Sequence, residues 1–352
     1  MIRHLKLLAR GRTGSRDLPY TDAADMAGAI LDGAASEAQT AAALTALRLK
    51  PETAVELDAF ISALRQRTQA VTLPAALRAR SVVVAGGPEG RESFNASLSA
   101  SLLCSLAGMP TLIQGSEPMP PREGSGVSQL LGAFGVQRDA TGEPELAAAE
   151  LQRLGIAYLD TESWCPSLGR LRRLRSELGF RTLLHLAERF LQPLGADQLL
   201  VGVPHVPALE RVRSLAGSLG QTRVVAVVGL DGSEDLPTHK PVQISVLEGG
   251  LVRELSLDAA DLGLAAQPRR GLSLAQQRAC TAAVLGGEAG AEVETERRQV
   301  LWNTACRLWL FGQALSLGEG LEQAQDLLQT GKGLTLLLRW ARSQPQGQEL
   351  RS

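Results

Sequence analysis

The stretch SVVVAGGPEGRESFNASLSASLL holds the residues of this chain that are best suited to meet an anion. A Val-rich run ends at Gly86 and Gly87, passes Gly90 and leads into an Ala- and Ser-rich segment. This pattern predicts a strand, a glycine turn and a helix, which together offer backbone N–H groups to a phosphate. Pro88 has no N–H to donate, however, and Glu89 adds negative charge to the turn. The pattern therefore indicates a phosphate cradle or the remains of one.

Two adjacent acids, Glu234 and Asp235, form the second candidate group. They lie in the stretch DGSEDL, shortly after an apolar run that is typical of a strand. Carboxylate oxygens on one loop are the ligands that Mg²⁺ prefers in proteins. A plain polar turn rich in Asp and Gly would have the same composition. The residues by themselves leave both a metal site and a turn open.

Positive charge is concentrated between residues 168 and 189, where six arginines against two acids give a local balance of +4. The six are Arg170, Arg172, Arg173, Arg175, Arg181 and Arg189. On one helix over residues 168–178, leucines share the inner face and Arg172 and Arg173 point outward, with two more arginines on the flanks. Phosphate backbones prefer such a surface, and an ordinary solvated face is the alternative. His185, in an apolar run, is either a core residue or part of this site.

The chain's 352 residues suggest two domains. Residues 1–75 carry apolar side chains at helical spacing and predict a small helical N-terminal domain, which we expect the helical segment at about 168–196 to join in space. Residues 76–352 alternate Val-rich strands with helices, which predicts an α/β domain with a mostly parallel central sheet flanked by helices. The stretch PVQISVLEGGLVRELSL predicts an antiparallel hairpin at the end of this sheet.

Composition narrows the class of protein. Hydrophobic residues make up 44% of the chain and the net charge is −1, which excludes a disordered chain. The four cysteines lie far apart, which excludes a zinc ribbon and favours reduced thiols in the cytoplasm. The sequence shows no signal-peptide pattern and no apolar run of membrane-spanning length, so we expect a cytoplasmic protein without a membrane partner. Aromatic residues are only 3%, which disfavours recognition of nucleic acid by base stacking.

Several motifs, in the right order over nearly the whole chain, resemble the anthranilate phosphoribosyltransferases and the related nucleoside phosphorylases of glycosyltransferase family 3. AQTAAALTALRLKPETAVELDAFISALR resembles the family's helical signature, and GGPEGRESFNAS sits where the family has GTGGDG and FN.S. RSELGFRTLLHL is similar to R.ELG.RT.FNLL, and GLDGSEDL to G.DG.DE. The resemblance implies a helical domain against an α/β domain and a dimer formed through the helical domain. It also implies a phosphoribosyl diphosphate donor, bound in the hinge cleft with two Mg²⁺ ions.

The resemblance also implies roles for single residues. The donor loop and the box that follows it fall on Gly86, Gly87, Glu89, Gly90, Asn95 and Ser97. The metal ligands fall on Ser97, Glu234 and Asp235, while Arg175 matches the arginine that meets anthranilate. The family's KHGNR segment becomes IQGSE, so that its lysine and arginine are absent and Glu117 adds an acid where a diphosphate needs positive charge.

These departures resemble a divergent, YbiB-type branch of the family that is associated with nucleic-acid binding. Our leading hypothesis is a homodimer with a degraded donor site that binds nucleic acid, single-stranded or non-specific, through the six arginines and His185. The alternative is an active, Mg²⁺-dependent pentosyl or phosphoribosyl transferase that acts on anthranilate or another acceptor. A protein-binding scaffold without a ligand is the third hypothesis. No catalytic residue is assigned, and Mg²⁺ is the one cofactor that stays open.

Overall fold

The computed structural model describes residues 1–11, 14–136, 144–215 and 217–343. The helices of the first part of the chain form because apolar residues recur three to four positions apart. They are α1 (Ile2–Leu8), α2 (Tyr20–Leu31), α3 (Glu37–Leu49), α4 (Ala54–Arg65) and α5 (Ala75–Arg80). Ser36 and Thr53 begin α3 and α4 as N-caps, each completing a capping box with the residue three positions on.

The rest of the described chain builds one seven-stranded sheet in the order β3-β2-β1-β4-β5-β6-β7. Its strands are β1 (Val82–Ala85), β2 (Thr111–Gly115), β3 (Ile156–Asp160), β4 (Gln198–Val203), β5 (Arg223–Val228), β6 (Val242–Glu248) and β7 (Leu251–Leu257). Neighbouring strands from β3 through β5 run parallel, and β6 and β7 are antiparallel. The predicted two-part α/β fold with a mostly parallel sheet and a closing hairpin is confirmed.

Helices cover the sheet and extend past it at the end of the described chain. They are α6 (Ala96–Leu106), α7 (Val127–Ala133), α8 (Pro144–Leu154), α9 (Thr161–Trp164), α10 (Pro166–Gly169), α11 (Arg172–Leu178), α12 (Leu184–Ala187), α13 (Val206–Ser214), α14 (Leu274–Leu285), α15 (Glu294–Leu310), α16 (Leu317–Gln329) and α17 (Lys332–Arg342). Among the described residues, no helix has the length and apolar character to span a membrane. All four cysteines are buried and free.

Two hydrophobic cores lie on opposite faces of the sheet. Val83 and Ala85 of β1 join the core shared with the N-terminal helices, whereas Val82 and Val84 join the core formed with α6 and the C-terminal helices. This division follows from the period of two along a strand, which sends successive side chains to opposite faces. The near-continuous apolar strands are therefore explained by burial on both sides.

The segment that was predicted as one helix over residues 168–178 differs from that prediction. A turn separates α10 from α11, and Gly179 ends α11 with a left-handed φ of 66°. The segment that follows packs against the N-terminal helices, where Arg65 Nε donates a hydrogen bond of 2.7 Å to the Phe190 carbonyl oxygen. The domain boundary at residues 75 and 76 stays a prediction.

Candidate functional site

The two candidate motifs meet at the carboxyl edge of the parallel strands. The glycine loop follows β1, the acid-bearing turn follows β5, and β4 lies between these two strands. Carboxyl ends of parallel strands form the usual ligand crevice of open α/β sheets. A Cβ on Gly86 would lie 3.4 Å from Glu234 Oε2, so the loop and the acid pair are in direct contact. The structure thus brings the two sequence motifs together.

The glycine loop is held in place by a second loop and by a buried arginine. Its backbone pairs with the stretch after β2 through bridges of Glu89 with Met119 and of Arg91 with Ser125. A Cβ on Gly87 would lie 2.2 Å from Arg189 Nη2, so only glycine leaves room for this guanidinium. The space between the loop and the acid turn is ≈ 20 Å³. This volume is enough for about one water molecule.

The acid pair is neutralised by two arginines that the sequence analysis had not singled out. Arg91 Nη1 lies 2.6 Å from Asp235 Oδ2, and Arg91 Nη2 lies 3.3 Å from Glu234 Oε1. Arg307 Nη2 donates to Ser97 Oγ at 2.9 Å and lies 3.4 Å from Asp235 Oδ1. All five side chains are buried. Two carboxylates therefore share a closed site with two guanidinium groups.

Burial and charge act in opposite directions on the two acids. Burial works to raise the pKa of Glu234, but Arg91, Ser97 and Arg307 bring that pKa below its usual range. For Asp235, burial raises the pKa, and the neighbouring Glu234 charge raises it further. Unlike surroundings thus separate the pKa values of two adjacent carboxyl groups.

Asn95 lies at the start of α6, beside the acid pair. Its backbone N–H donates to Gln277 Oε1 at 3.0 Å, and the next backbone N–H, that of Ala96, donates to Asp235 Oδ2 at 3.1 Å. These two N–H groups are therefore already bonded to side chains of the protein rather than open to a phosphate.

The arginine-rich segment does not form the predicted outer face. Arg175 is fully buried, and its two terminal nitrogens lie 3.2 and 3.0 Å from the carboxylate oxygens of Glu188. Arg189 is buried as well and donates to the Gly232 carbonyl oxygen at 2.8 Å. Both were expected to face a ligand, yet both pair within the protein, because an unpaired buried guanidinium would be costly.

The other four arginines of this segment also have protein partners. Arg170 donates to the Leu31 carbonyl oxygen at 2.6 Å, and Arg181 pairs with Glu89. Arg172 lies 2.8 Å from Glu162 and donates to the Pro118 carbonyl oxygen at 2.9 Å. Arg173 has a largely exposed side chain, at 69%, and it pairs with Glu37 at 2.6 Å. Sequence periodicity could not foresee the long-range partners, such as Leu31, Glu37 and Glu89.

His185 is a buried residue of the same region. Its Nδ1 accepts a hydrogen bond of 3.1 Å from the Thr182 backbone N–H, and its Nε2 lies 3.3 Å from the Pro120 carbonyl oxygen. Burial, followed by the Arg175 charge, holds the pKa of His185 well below its ordinary value. The imidazole is therefore neutral at pH 7 and joins two loops of the cleft.

Comparison with known proteins agrees with this architecture. The model of the glycosyl transferase family a/b domain matches residues 82–334, and that of the family's helical bundle domain matches residues 4–68. The chain belongs to the glycosyl transferase family. An anthranilate phosphoribosyltransferase from Methylobacterium sp. (strain 4-46) is 32% identical over 314 residues, which cover 88% of this chain and 90% of that protein. Another, from Desulfitobacterium hafniense (strain DSM 10664 / DCB-2), is 29% identical and covers 95% and 96%.

Solved structures share the fold of this glycosyl transferase family member. Anthranilate phosphoribosyltransferase from Thermus thermophilus superposes with a TM-score of 0.79 at 24% identity, covering 96% of this chain and 98% of that one. The enzyme from Saccharomyces cerevisiae, in complex with PRPP (phosphoribosyl diphosphate) and Mg, gives 0.76 at 18% identity and covers 97% and 98%. The suspected family resemblance is confirmed.

The residues of this glycosyl transferase family member do not fit Mg²⁺ in the observed arrangement. Three of the four oxygens of Glu234 and Asp235 already meet Arg91 or Arg307, and only Glu234 Oε2 has no hydrogen-bond partner. Mg²⁺ needs several oxygen ligands in near-octahedral geometry. Two adjacent guanidinium charges would also repel a divalent ion.

A larger cavity opens beside the glycine loop. It measures ≈ 570 Å³, and its lining holds three arginines and three acids, namely Arg91, Arg122, Arg270, Glu92, Glu123 and Asp231. Arg122 Nη1 lies 2.8 Å from Asp231 Oδ1, and Asp231 has a left-handed φ of 56° that is uncommon for residues other than glycine.

A second basic pocket lies between the helical domain and the sheet domain. It measures ≈ 80 Å³, and its lining includes Arg48, Arg181, His205 and Arg211. Glu52 is its one acid among the described lining residues, and it lies 3.2 Å from Arg211. We refer to this pocket as the interdomain groove. Arg48 and Arg211 lie outside the arginine-rich segment, so local charge counting did not find them.

Proposed function

We propose that this protein binds a phosphorylated pentose in the ≈ 570 Å³ cavity and transfers the pentosyl group to an acceptor. The observation that carries the proposal is a cavity beside the glycine loop of a family fold, into which Arg270 and Arg122 bring side chains that are 57% and 38% exposed. The names of the curated relatives support the same reaction class. Guanidinium groups suit phosphate because their fork matches two of its oxygens.

In such a transfer, the bond between the pentose C1 and the leaving phosphate oxygen breaks, and the phosphate keeps the electron pair. The acceptor nucleophile then forms the new bond to C1 and loses its proton to solvent or to a base. Charge develops on the leaving oxygen, and cations placed there in advance lower the barrier. In this chain, Arg122 and Arg270 are the cavity arginines that can supply those cations, because Arg91 already balances the acid pair.

Anthranilate is not the acceptor that the geometry favours. The arginine that resembles the family's anthranilate contact, Arg175, is buried and forms two hydrogen bonds with Glu188. A carboxylate of the protein thus occupies the guanidinium that an acceptor carboxylate would need. We propose that the acceptor lacks a carboxylate at this point.

Calorimetry with PRPP and with ribose 1-phosphate, in EDTA and in Mg²⁺, tests the main proposal. We expect binding of at least one ligand, weakened about tenfold to a hundredfold by Arg270→Ala, since hydrogen bonds to charged groups are worth about 1.5–3 kcal/mol. Arg253→Ala, an exposed arginine on β7, is the matched control and should leave the affinity unchanged. No heat at millimolar ligand in either buffer would remove the proposal.

We propose nucleic acid as the second candidate ligand, at the interdomain groove. Its support is the local excess of arginines, with Arg48, Arg181 and Arg211 against Glu52. Arg48 is exposed, so it can contact a phosphate backbone without a change in the fold. Binding of this kind is electrostatic and weakly specific.

Fluorescence anisotropy with a labelled single-stranded oligonucleotide, from low to physiological salt, tests this candidate. Removal of one arginine that neutralises a phosphate should reduce the slope of log K against log salt by about 0.7. Arg48→Glu should lower both affinity and slope, whereas Arg253→Glu should change neither. Absence of binding at low salt excludes nucleic acid as the ligand.

We propose that the protein forms a homodimer through its helical domain. An apolar groove of ≈ 1010 Å³ runs between α1 and α3, lined by residues such as Leu8, Ala42 and Leu49. A large contiguous apolar surface is typical of a protein–protein contact, and Leu49, which is 80% exposed, lines this groove. Light scattering should give twice the chain mass and about the single mass for Leu49→Glu. Leu315→Glu, at a site that is 93% exposed, is the control and should stay dimeric.

A further inference from the structure

We infer that Arg91 and Arg307 are built-in counter-cations that take over the charge-balancing task of a divalent metal at Ser97, Glu234 and Asp235. The inference concerns metal binding by the protein alone. Only one consequence of the inference rests on the proposed function, namely that the cleft would bind its phosphorylated ligand without a metal ion.

Backbone hydrogen bonds hold the position of Arg91 independently of its side-chain contacts. Its N–H donates to the Ser125 carbonyl oxygen at 3.2 Å, and its carbonyl oxygen accepts from the Ser125 N–H at 3.0 Å. This pair of bonds holds the residue just after the glycine loop and directs its guanidinium to Ser233 Oγ at 3.0 Å and to the acid pair. A flexible surface arginine would have none of these constraints.

Arg307, on α15, reaches Asp235 of the same acid pair. Its Nη1 donates to the Ser97 carbonyl oxygen at 3.2 Å and to Ser101 Oγ at 3.1 Å, and its Nη2 donates to Ser97 Oγ. One turn earlier on this helix, Asn303 accepts from the Leu236 N–H at 2.8 Å and so fixes the end of the acid turn. The helix therefore positions both the cation and the loop that it neutralises.

Ser97 Oγ is therefore already engaged at the position that the family resemblance assigns to a metal ligand. It accepts a hydrogen bond from Arg307, while the Asp235 carboxylate accepts hydrogen bonds from both arginines and from the Ala96 N–H. The side chains of Arg307 and Asp235 are 0% and 2% exposed, so water cannot screen the charges. Removal of a guanidinium would leave an unbalanced negative charge that a metal ion could satisfy.

Titration of the full-length protein with Mn²⁺ alone, followed by electron paramagnetic resonance, tests the inference. The wild-type protein should take up no stoichiometric Mn²⁺ up to about 1 mM. Arg91→Ala should gain one site, and Arg91→Ala combined with Glu234→Gln should lose that site again. Arg122→Ala removes an equal charge that lies 2.8 Å from Asp231 rather than from the pair, and it should gain none.

Two results would overturn the inference. One is stoichiometric Mn²⁺ uptake by the wild-type protein that Glu234→Gln abolishes. The other is a folded Arg91→Ala protein that gains no site. If Arg91→Ala does not fold, the wild-type titration with its Glu234→Gln control decides, since uptake contradicts the inference and its absence supports it. These readouts involve no sugar, so a failure of the pentosyl transfer proposal leaves them unaffected.

Discussion

The cleft between the glycine loop and the acid turn differs from the interdomain groove in how its charged side chains are placed. Those of the cleft are buried and paired, whereas the groove has an exposed arginine. In the cleft, Glu188, Glu234 and Asp235 are buried, and each has at least one arginine partner. In the groove, the charged side chain of Arg48 is exposed. Charges that are paired out of water determine stability, whereas exposed charges remain available to attract a ligand. The arginines that pair with the buried acids therefore support the structure, whereas exposed arginines, such as Arg48 in the groove and Arg270 in the cavity, can bind a ligand.

The largest effect should come from breaking the most buried pair. Glu188→Ala leaves the fully buried Arg175 without its carboxylate, which should lower the free energy of unfolding by about 3–5 kcal/mol. Urea denaturation measures the change. Glu37→Ala removes the partner of Arg173 at the surface and serves as the control. Equal stability of the two variants would contradict the contrast between buried and exposed pairs.

Filling the glycine cradle should have an intermediate effect. In Gly87→Ala, the new methyl group would meet the Arg189 guanidinium at 2.2 Å, so we expect a loss of about 1–3 kcal/mol in unfolding free energy. Gly132→Ala lies within α7 with no atom within 4 Å of the added Cβ, and it should stabilise the helix slightly. A Gly87→Ala protein as stable as wild type would show that Arg189 does not occupy the loop in solution.

The pH dependence of stability should reveal the ionisation of Glu162, which lies on α9 and pairs with Arg172. Burial raises the pKa of this carboxyl from 4.5 to about 7, only partly opposed by Arg172. Because the folded state binds the proton more tightly, the stabilising contribution is complete below pH 4.5 and is lost as pH rises through about 7. Glu162→Gln should flatten this loss in thermal melts across the same pH range. Glu177→Gln, at an exposed site, should keep the wild-type profile.

The smallest effect should come from the arginine that best matched the predicted surface. Arg173 and its partner Glu37 are both mostly exposed, at 69% and 73%. We expect Arg173→Ala to leave the thermal midpoint unchanged within error, because exposed pairs contribute little. A clear drop in the midpoint would show that this pair is part of a larger network.

The strands of the sheet were predictable because short apolar runs, many of them rich in Val and bounded by Gly or Pro, are typical of buried strands. SVVVA, PTLIQG and TRVVAVVGL each contain a strand that the structure confirms. The family resemblance implied that the glycine loop meets the two acids, since it assigned Ser97, Glu234 and Asp235 to one metal site. Fold and approximate site location were therefore accessible from the sequence.

The residues with which the arginines pair could not be predicted from the sequence. The bond of Arg307 to Ser97 joins residues 210 positions apart, and that of Arg91 to Asp235 joins residues 144 apart. Local charge counting assigned +4 to a segment whose arginines are in fact balanced by acids from other parts of the fold, such as Glu89 and Glu37. Because a turn separates α10 from α11, these arginines do not lie on one continuous helix, and the predicted inner and outer faces do not apply.

The alternation of β1 between two cores has a consequence for how the sheet can move. Val83 and Ala85 serve one core and Val82 and Val84 the other, so a shift of β1 by a single residue would exchange their contents. β1 is also hydrogen-bonded to strands on both sides, β2 and β4. Its amides should therefore exchange with solvent only when the whole sheet opens. The glycine loop begins at the end of this fixed strand. A ligand can therefore rearrange the side chains around the loop but cannot shift the loop along the sheet.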